Sequence, residues 1–332
     1  MHKLRIDAIG DPADVVSLVE FDSLTPGSGQ LLIAVEAATI NTSDFLYITG
    51  QYFVTPRPGS DVGAEGVGRI QAVGPGVDRS LVGRRVVLLP TYRHGTWASH
   101  LLAAVDDVVI VDDDIDVLQL AMVGINPMTA LRLLRDYGDP TTPQRWVGQT
   151  TGNSAVGEYL IKLSKRFGYR TASVVRRDAA ADQVRGWGGD VVVVDGDSFG
   201  ERLTEALNGH SLDIAVDAMG GPASTELAHH LRYDGTLVTY AYLSGQPPTV
   251  SLLDLIGNHA QLTGFWLMNW LRRADQGDVQ TDYRELIALI ADGTLSARVD
   301  RTVPLDEFQK AFELAQGYHR DGKILFTFDH PA

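Results

Sequence analysis

The segment Arg145-Trp-Val-Gly-Gln-Thr-Thr-Gly-Asn-Ser-Ala-Val-Gly157 combines residue types that can hold a phosphate. An apolar β-type run leads into a turn of small residues and then into a helical pattern, Ala155–Phe167. In that arrangement the free N–H groups and dipole of the helix face an anion, and small side chains let the backbone approach it. Gly152 and Gly157 hold the outer places of a G-x-G-x-x-G fingerprint, Ser154 takes the middle one, and Asn153, Ala155 and Val156 fill the rest. Read blandly, the same residues are a helix N-terminus capped by Asn153 or Ser154. The following strand run, Thr171–Val175, ends in Arg176-Arg177. A carboxylate there would bind a ribose 2′-hydroxyl, whereas two guanidiniums suit a 2′-phosphate. The pair predicts NADPH rather than NADH as cofactor.

Such a turn needs a sheet to hold it. From about residue 120 strand and helix patterns alternate: Leu120–Tyr137 reads as a helix, then Arg145–Gln149, Thr171–Val175, Val191–Val194, Leu212–Asp217 and Thr236–Ala241 as strands. A helix is expected over Ala179–Trp187. This is the pattern of an α/β, Rossmann-type doubly wound parallel sheet. The first 120 or so residues differ. Short β runs at Leu31–Ala38, Gly66–Val73, Arg85–Leu89 and Asp107–Val111 are separated by glycine and proline turns. The tail adds helices at Tyr283–Ile290 and Leu305–Ala315 and a strand at Lys323–Phe328. The expected organisation is a β-rich catalytic domain over 1–123, completed by 263–332, with the cofactor domain over 124–262 and the site in the cleft between them.

Composition narrows the chemistry. The 332 residues include no cysteine, so a thiolate nucleophile, a cysteine-ligated zinc and an iron–sulfur cluster are excluded. With 28 basic against 42 acidic residues the chain carries −14, which argues against a nucleic-acid or anionic-membrane partner. No run of about 18 apolar residues occurs, and the N-terminus lacks a signal-peptide core, so a cytoplasmic protein is expected.

Taken together, the motifs resemble the zinc-free branch of the medium-chain dehydrogenase/reductase family, nearest to 2-enoyl thioester reductases of the trans-2-enoyl-CoA reductase type. Ile40-Asn-Thr-Ser-Asp44 is similar to its I-N-P-S-D, with Thr42 in place of proline. Gly50-Gln-Tyr52, Gly95-Thr-Trp97, Asn126-Pro-Met-Thr-Ala130, Asn153-Ser-Ala-Val-Gly157 and Gly264-Phe-Trp-Leu267 with Trp270 follow in the family's order. The resemblance implies a GroES-like catalytic domain, a homodimer, and reduction of an activated carbon–carbon double bond by NADPH. Hydride would go to the β-carbon of a small-molecule or carrier-bound enoyl substrate, and a proton to the α-carbon.

By position, Tyr52 falls on the family's proton donor. A phenol, with an ordinary pKa of ~10, keeps its proton at neutral pH and can give it to an enolate. Nothing local distinguishes Tyr52 from Tyr47 or Tyr92. The resemblance also implies cofactor contacts at Asn126, Thr129, Gly152–Gly157, Arg176, Arg177, Tyr240, Ala241, Tyr242, Leu243, Phe265, Trp266, Leu267 and Lys323. Asn41, Tyr52, Trp97, Trp266 and Trp270 would shape the acyl site, although tryptophans are commonly plain core residues. No metal is expected: where zinc-dependent relatives carry Gly-His-Glu, this chain has Gly63-Ala64-Glu65. Because coenzyme A and acyl carrier protein are anionic, a local basic patch would have to offset the net charge, with Arg272-Arg273 the candidate; alternatively the acceptor lacks a phosphorylated carrier and the pair are ordinary solvated helix-end cations. Two other readings stay open at this point, an NADPH:quinone or enone reductase and a non-catalytic nucleotide binder.

Overall fold

Four consecutive valines, Val191–Val194, form a strand because β-branched side chains suit a pleated surface covered on both faces. This strand is one edge of a six-stranded parallel sheet, followed in order by Tyr169–Val175, Arg145–Gln149, Leu212–Asp217, Leu231–Thr239 and Gln261–Gly264. The chain enters at the middle strand, Arg145–Gln149, winds out to one edge, returns to the middle and winds out to the other. The direction reverses between Arg145–Gln149 and Leu212–Asp217, which opens a crevice at the carboxyl ends of those two strands. The expected doubly wound α/β sheet is therefore present.

The structure, a computed structural model, describes residues 1–138, 145–317 and 321–328. The chain divides into two compact units, one formed by Met1–Ile125 with the chain from Leu271 onward, the other by Asn126–Trp270. The single helix expected over Leu120–Tyr137 is two, Val117–Ala121 and Asn126–Tyr137. Pro127 has no amide proton to continue a helix and its ring excludes the preceding turn, so Pro127 can only stand in a helix's first turn.

In the first unit a seven-stranded sheet is organised around the long strand Gln30–Thr39. It pairs with Gly66–Val73 on one side and with His100–Ala104 and Lys323–Thr327 on the other. The register Phe326↔Ala38 is what returns the tail of the chain to its beginning. A smaller sheet joins His2–Ile6, Val16–Glu20 and Ser60–Asp61. Trp97, Phe312 and Phe326 sit at the heart of this core, with ring centroids 5.4 Å apart for each pair that includes Trp97.

Candidate active site

The phosphate turn is built from its sheet upward. The buried Asp217, at the end of its strand, accepts hydrogen bonds from the Thr150 hydroxyl (2.8 Å) and from the amides of Met219 and Gly220 (2.9 Å each). Ala218 N–H donates to the same Thr150 hydroxyl at 2.8 Å. These bonds lock the ends of the two central strands together. The turn itself is tight. A Cβ on Gly152 would lie 2.7 Å from Ser173 Cβ, and one on Gly157 would lie 2.5 Å from the Gly152 carbonyl oxygen. Glycine is therefore required at both outer places of the fingerprint. Ser154 is the N-cap of the helix Ala155–Arg166, accepting from Gly157 N–H at 3.1 Å. The bland capping reading and the anion-binding reading coexist, since a capped helix of twelve residues still presents its other first-turn amides and its dipole.

Other expected site residues lie in the same unit. Arg176 and Arg177 follow the strand next to the central one, and both are exposed. Tyr240 follows the strand Leu231–Thr239 and donates its amide to the Asp217 carbonyl at 3.0 Å. Its phenol lies beside the Thr151 and Ser154 hydroxyls; burial pushes its pKa up to about 12, so it stays neutral. Leu243 N–H is held by the Ala218 carbonyl at 2.8 Å, and the side chains of Tyr242 and Leu243 are exposed. Asn126 and Thr129 are buried in the first turn of a helix that packs against Ala155–Arg166. Phe265 meets Tyr137 edge-on at 6.4 Å, and Arg132 lies over the Trp270 ring at 4.8 Å.

Ala241, Trp266 and Leu267 also lie in this unit, whereas Asn41, Tyr52, Trp97, Lys323, Arg272 and Arg273 belong to the first. Tyr52 is half-buried in the loop after the helix Thr42–Ile48, with Phe53 at 5.6 Å and Tyr92 at 5.7 Å between ring centroids. Asn41 precedes that helix and is buried. Its side-chain amide donates to Glu65 at 2.7 Å, and its side-chain oxygen accepts from the Lys323 ammonium. The other Glu65 oxygen accepts from Ile125 N–H at 2.7 Å. Burial raises the pKa of Glu65, opposed first by the Lys323 charge and then by these hydrogen bonds. Lys323, expected at the cofactor, is thus tied to Asn41 and Glu65.

Trp97, expected at the acyl site, stands in the hydrophobic core of this unit. It is wholly buried, its indole N–H donates to Thr39 O at 3.1 Å, and no part of it faces open space. Gly63, with φ of +97°, allows this contact, since a Cβ there would meet the indole ring at 2.4 Å. The Glu65 anchor and the Asp217–Thr150 lock were both missed in the sequence, although a carboxylate closing an apolar strand run was a visible signal for Asp217.

Asp44 yields a pH prediction. Its carboxylate accepts from Asn41 N–H at 2.8 Å, yet burial raises its pKa to about 7. A carboxyl group raised in the fold stabilises fully below its ordinary value of 3.8 and loses that contribution as pH climbs to about 7. Asp44→Asn keeps an acceptor for the amide and cannot ionise. Its Tm relative to wild type should therefore rise between pH 5 and pH 8, as read by thermal melts. Parallel profiles for the two proteins would contradict the assignment.

Residues 27–112 match the family described as alcohol dehydrogenase GroES-like domain, and residues 187–325 the family described as zinc-binding dehydrogenase. Over 315 residues, 92% of this chain and 89% of the relative, it is 31% identical to the mitochondrial enoyl-[acyl-carrier-protein] reductase of Xenopus tropicalis. The chain belongs to the medium-chain dehydrogenase/reductase family. Among its other members, the bovine mitochondrial enoyl-[acyl-carrier-protein] reductase is 32% identical, covering 96% of this chain and 86% of that one. A protein described as an NADPH:quinone reductase from Bacillus thuringiensis is 27% identical, with 99% of each chain covered and a TM-score of 0.91.

The zinc named in one family description does not fit the residues of this member. Ala64 has no ligand atom, and both oxygens of Glu65 are engaged by Asn41 and Ile125 beside the Lys323 ammonium. Among the described residues no group of three or more histidine, aspartate or glutamate side chains is placed to hold a metal ion. The residues around the phosphate turn, by contrast, fit a dinucleotide.

Proposed function

We propose that this protein is an NADPH-dependent reductase of the double bond in a 2-enoyl thioester. The observation that carries the reading is identity of 31–32%, over 92–96% of the chain, to proteins named enoyl-[acyl-carrier-protein] reductase. The capped helix N-terminus at Gly152–Gly157 would hold the pyrophosphate, and Arg176 and Arg177 the 2′-phosphate. NADPH, when bound, supplies the hydride for the β-carbon. As that carbon takes the hydride, the double-bond pair moves toward the thioester carbonyl to form an enolate. Tyr52 then gives its phenolic proton to the α-carbon, leaving the saturated thioester, and recovers a proton from solvent. Arg272 and Arg273, closing the helix Leu267–Arg273, are the groups assigned to an anionic carrier.

The likeness to the Bacillus thuringiensis protein favours quinone reduction as the second reading. Following NADPH absorbance with crotonyl-CoA and with a quinone decides between them: turnover of the thioester supports the first, turnover of the quinone alone replaces it. A protein that binds NADPH and turns over neither would be a non-catalytic binder. A cytoplasmic location is part of the proposal, although the relatives it is argued from are named mitochondrial; recovery of the native protein in an organelle fraction would move it.

A homodimer is part of the proposal, supported by one edge of the parallel sheet. Gln261–Gly264 is the last strand, with Leu262 exposed, and the nearby helix Leu252–Gly257 exposes Leu252, Leu253 and Ile256, the last two at 79% and 73%. An apolar row on an unpaired sheet edge is costly in water unless covered. Ile256→Asp is expected to halve the mass seen by light scattering, from two chains to one. A wild-type protein that is already monomeric would remove the dimer.

A further inference from the structure

Tyr92 occupies a conformation that demands an explanation. Its φ is +56°, in the left-handed region that a bulky side chain enters only under constraint from its surroundings. Its ring is packed between Tyr47, with centroids 5.3 Å apart, and Tyr52, at 5.7 Å. Its hydroxyl is sealed from solvent without a fully formed hydrogen bond, and so is the hydroxyl of Ser43. Two neighbouring buried hydroxyls left open in this way are unusual in a folded protein.

We propose that Tyr92 is a positioning residue for the Tyr52 phenol, in a row that runs Ser43, Tyr92, Tyr52 and passes hydrogen bonds outward to the proton-donating oxygen. In the row as proposed, Ser43 donates to Tyr92 and Tyr92 donates to Tyr52. Burial, the charge Tyr52 would carry as phenolate, and the Asp44 carboxylate all raise the Tyr92 pKa well above its ordinary value. The Tyr52 and Ser43 hydroxyls face the same phenol, the first raising its pKa and the second lowering it. Tyr92 therefore keeps its proton. When Tyr52 has released its proton, the Tyr92 O–H stabilises the phenolate left behind. Such bonds are often long before substrate binds and shorten in the reacting complex.

The inference rests on the reading of Tyr52 as proton donor, and the experiment separates the two. With NADPH and crotonyl-CoA, Tyr92→Phe is expected to lower kcat by about 10- to 100-fold, the effect of one hydrogen bond to a charged oxygen. KM should change little and the solvent isotope effect on kcat should rise, because proton donation alone is slowed. Ser43→Ala should act in the same direction more weakly. Tyr47→Phe, which alters a neighbouring ring outside the row, should match wild type. In carbon-labelled tyrosine NMR, with Tyr52 assigned by its loss in Tyr52→Phe, the Tyr52 signal should titrate at higher pH in Tyr92→Phe than in wild type. Unchanged kcat and isotope effect in Tyr92→Phe, with Tyr52→Phe still impaired, overturn the row alone. An unimpaired Tyr52→Phe overturns the proton-donor reading and the row with it. An unshifted Tyr52 titration overturns the row whether or not the thioester is turned over.

Discussion

Tyr52→Phe is expected to lower kcat for enoyl thioester reduction by about 10²- to 10⁴-fold, the contribution of one positioned general acid. The dissociation constant for NADPH should not move. The substitution removes one oxygen and keeps the ring, so the packing against Phe53 and Tyr92 at 5.6 and 5.7 Å survives. The groups proposed to grip the phosphates of the cofactor all lie within Asn126–Trp270, on strands and helices that Tyr52 does not belong to. Loss of turnover with intact cofactor binding is thus the signature of a lost proton donor and not of a damaged fold. Fluorescence titration with NADPH and steady-state kinetics with crotonyl-CoA read the two quantities separately. Turnover equal to wild type would assign α-carbon protonation to solvent.

The cofactor turn was legible because its chemistry is local. Gly152, Ser154 and Gly157 stand within six residues, and the strand and helix on either side announce themselves by apolar run and apolar period. The strand Val191–Val194 and the strand Leu212–Asp217 were read with their observed limits for the same reason. What escaped depends on residues remote in sequence. Asn41 and Lys323 meet across 282 residues, and no periodicity signals that a loop asparagine and a tail lysine share one carboxylate. Tyr92 shows the same limit. Its left-handed backbone and sealed hydroxyl arise only when the loop after Leu88 is folded onto the helix Thr42–Ile48, so sequence alone ranked it level with Tyr47. Trp97 was ambiguous for a different cause. A tryptophan in a family motif can be conserved in type for packing, and only its burial against Phe312 and Phe326 shows that this one is core.

Replacing both Arg176 and Arg177 by alanine is expected to lower kcat/KM for NADPH by about 10²-fold and to leave the value for NADH nearly unchanged. Strand register places the pair: Thr171 lies beside Val147 and Ser173 beside Gln149, so residues just past Val175 project at the same end of the sheet as the phosphate turn. Neither guanidinium has an ion-pair partner among the described residues, in a chain where acidic residues outnumber basic ones by 42 to 28. Two adjacent cations left unpaired amid that excess of carboxylates are available to an anion. Each charge-assisted bond to a phosphate oxygen is worth about 1.5–3 kcal/mol when shielded, and solvent at these exposed side chains brings the pair nearer the lower end. At ~1.4 kcal/mol per tenfold, two bonds of that size give the stated loss. NADH lacks the 2′-phosphate and so has nothing to lose. Ionic strength supplies an internal check, because KM for NADPH should climb with salt in wild type and respond far less in the double variant. Equal losses for both cofactors would instead mean that the arginines hold the strand end in shape, and a wild-type preference for NADH would remove the 2′-phosphate from the site altogether.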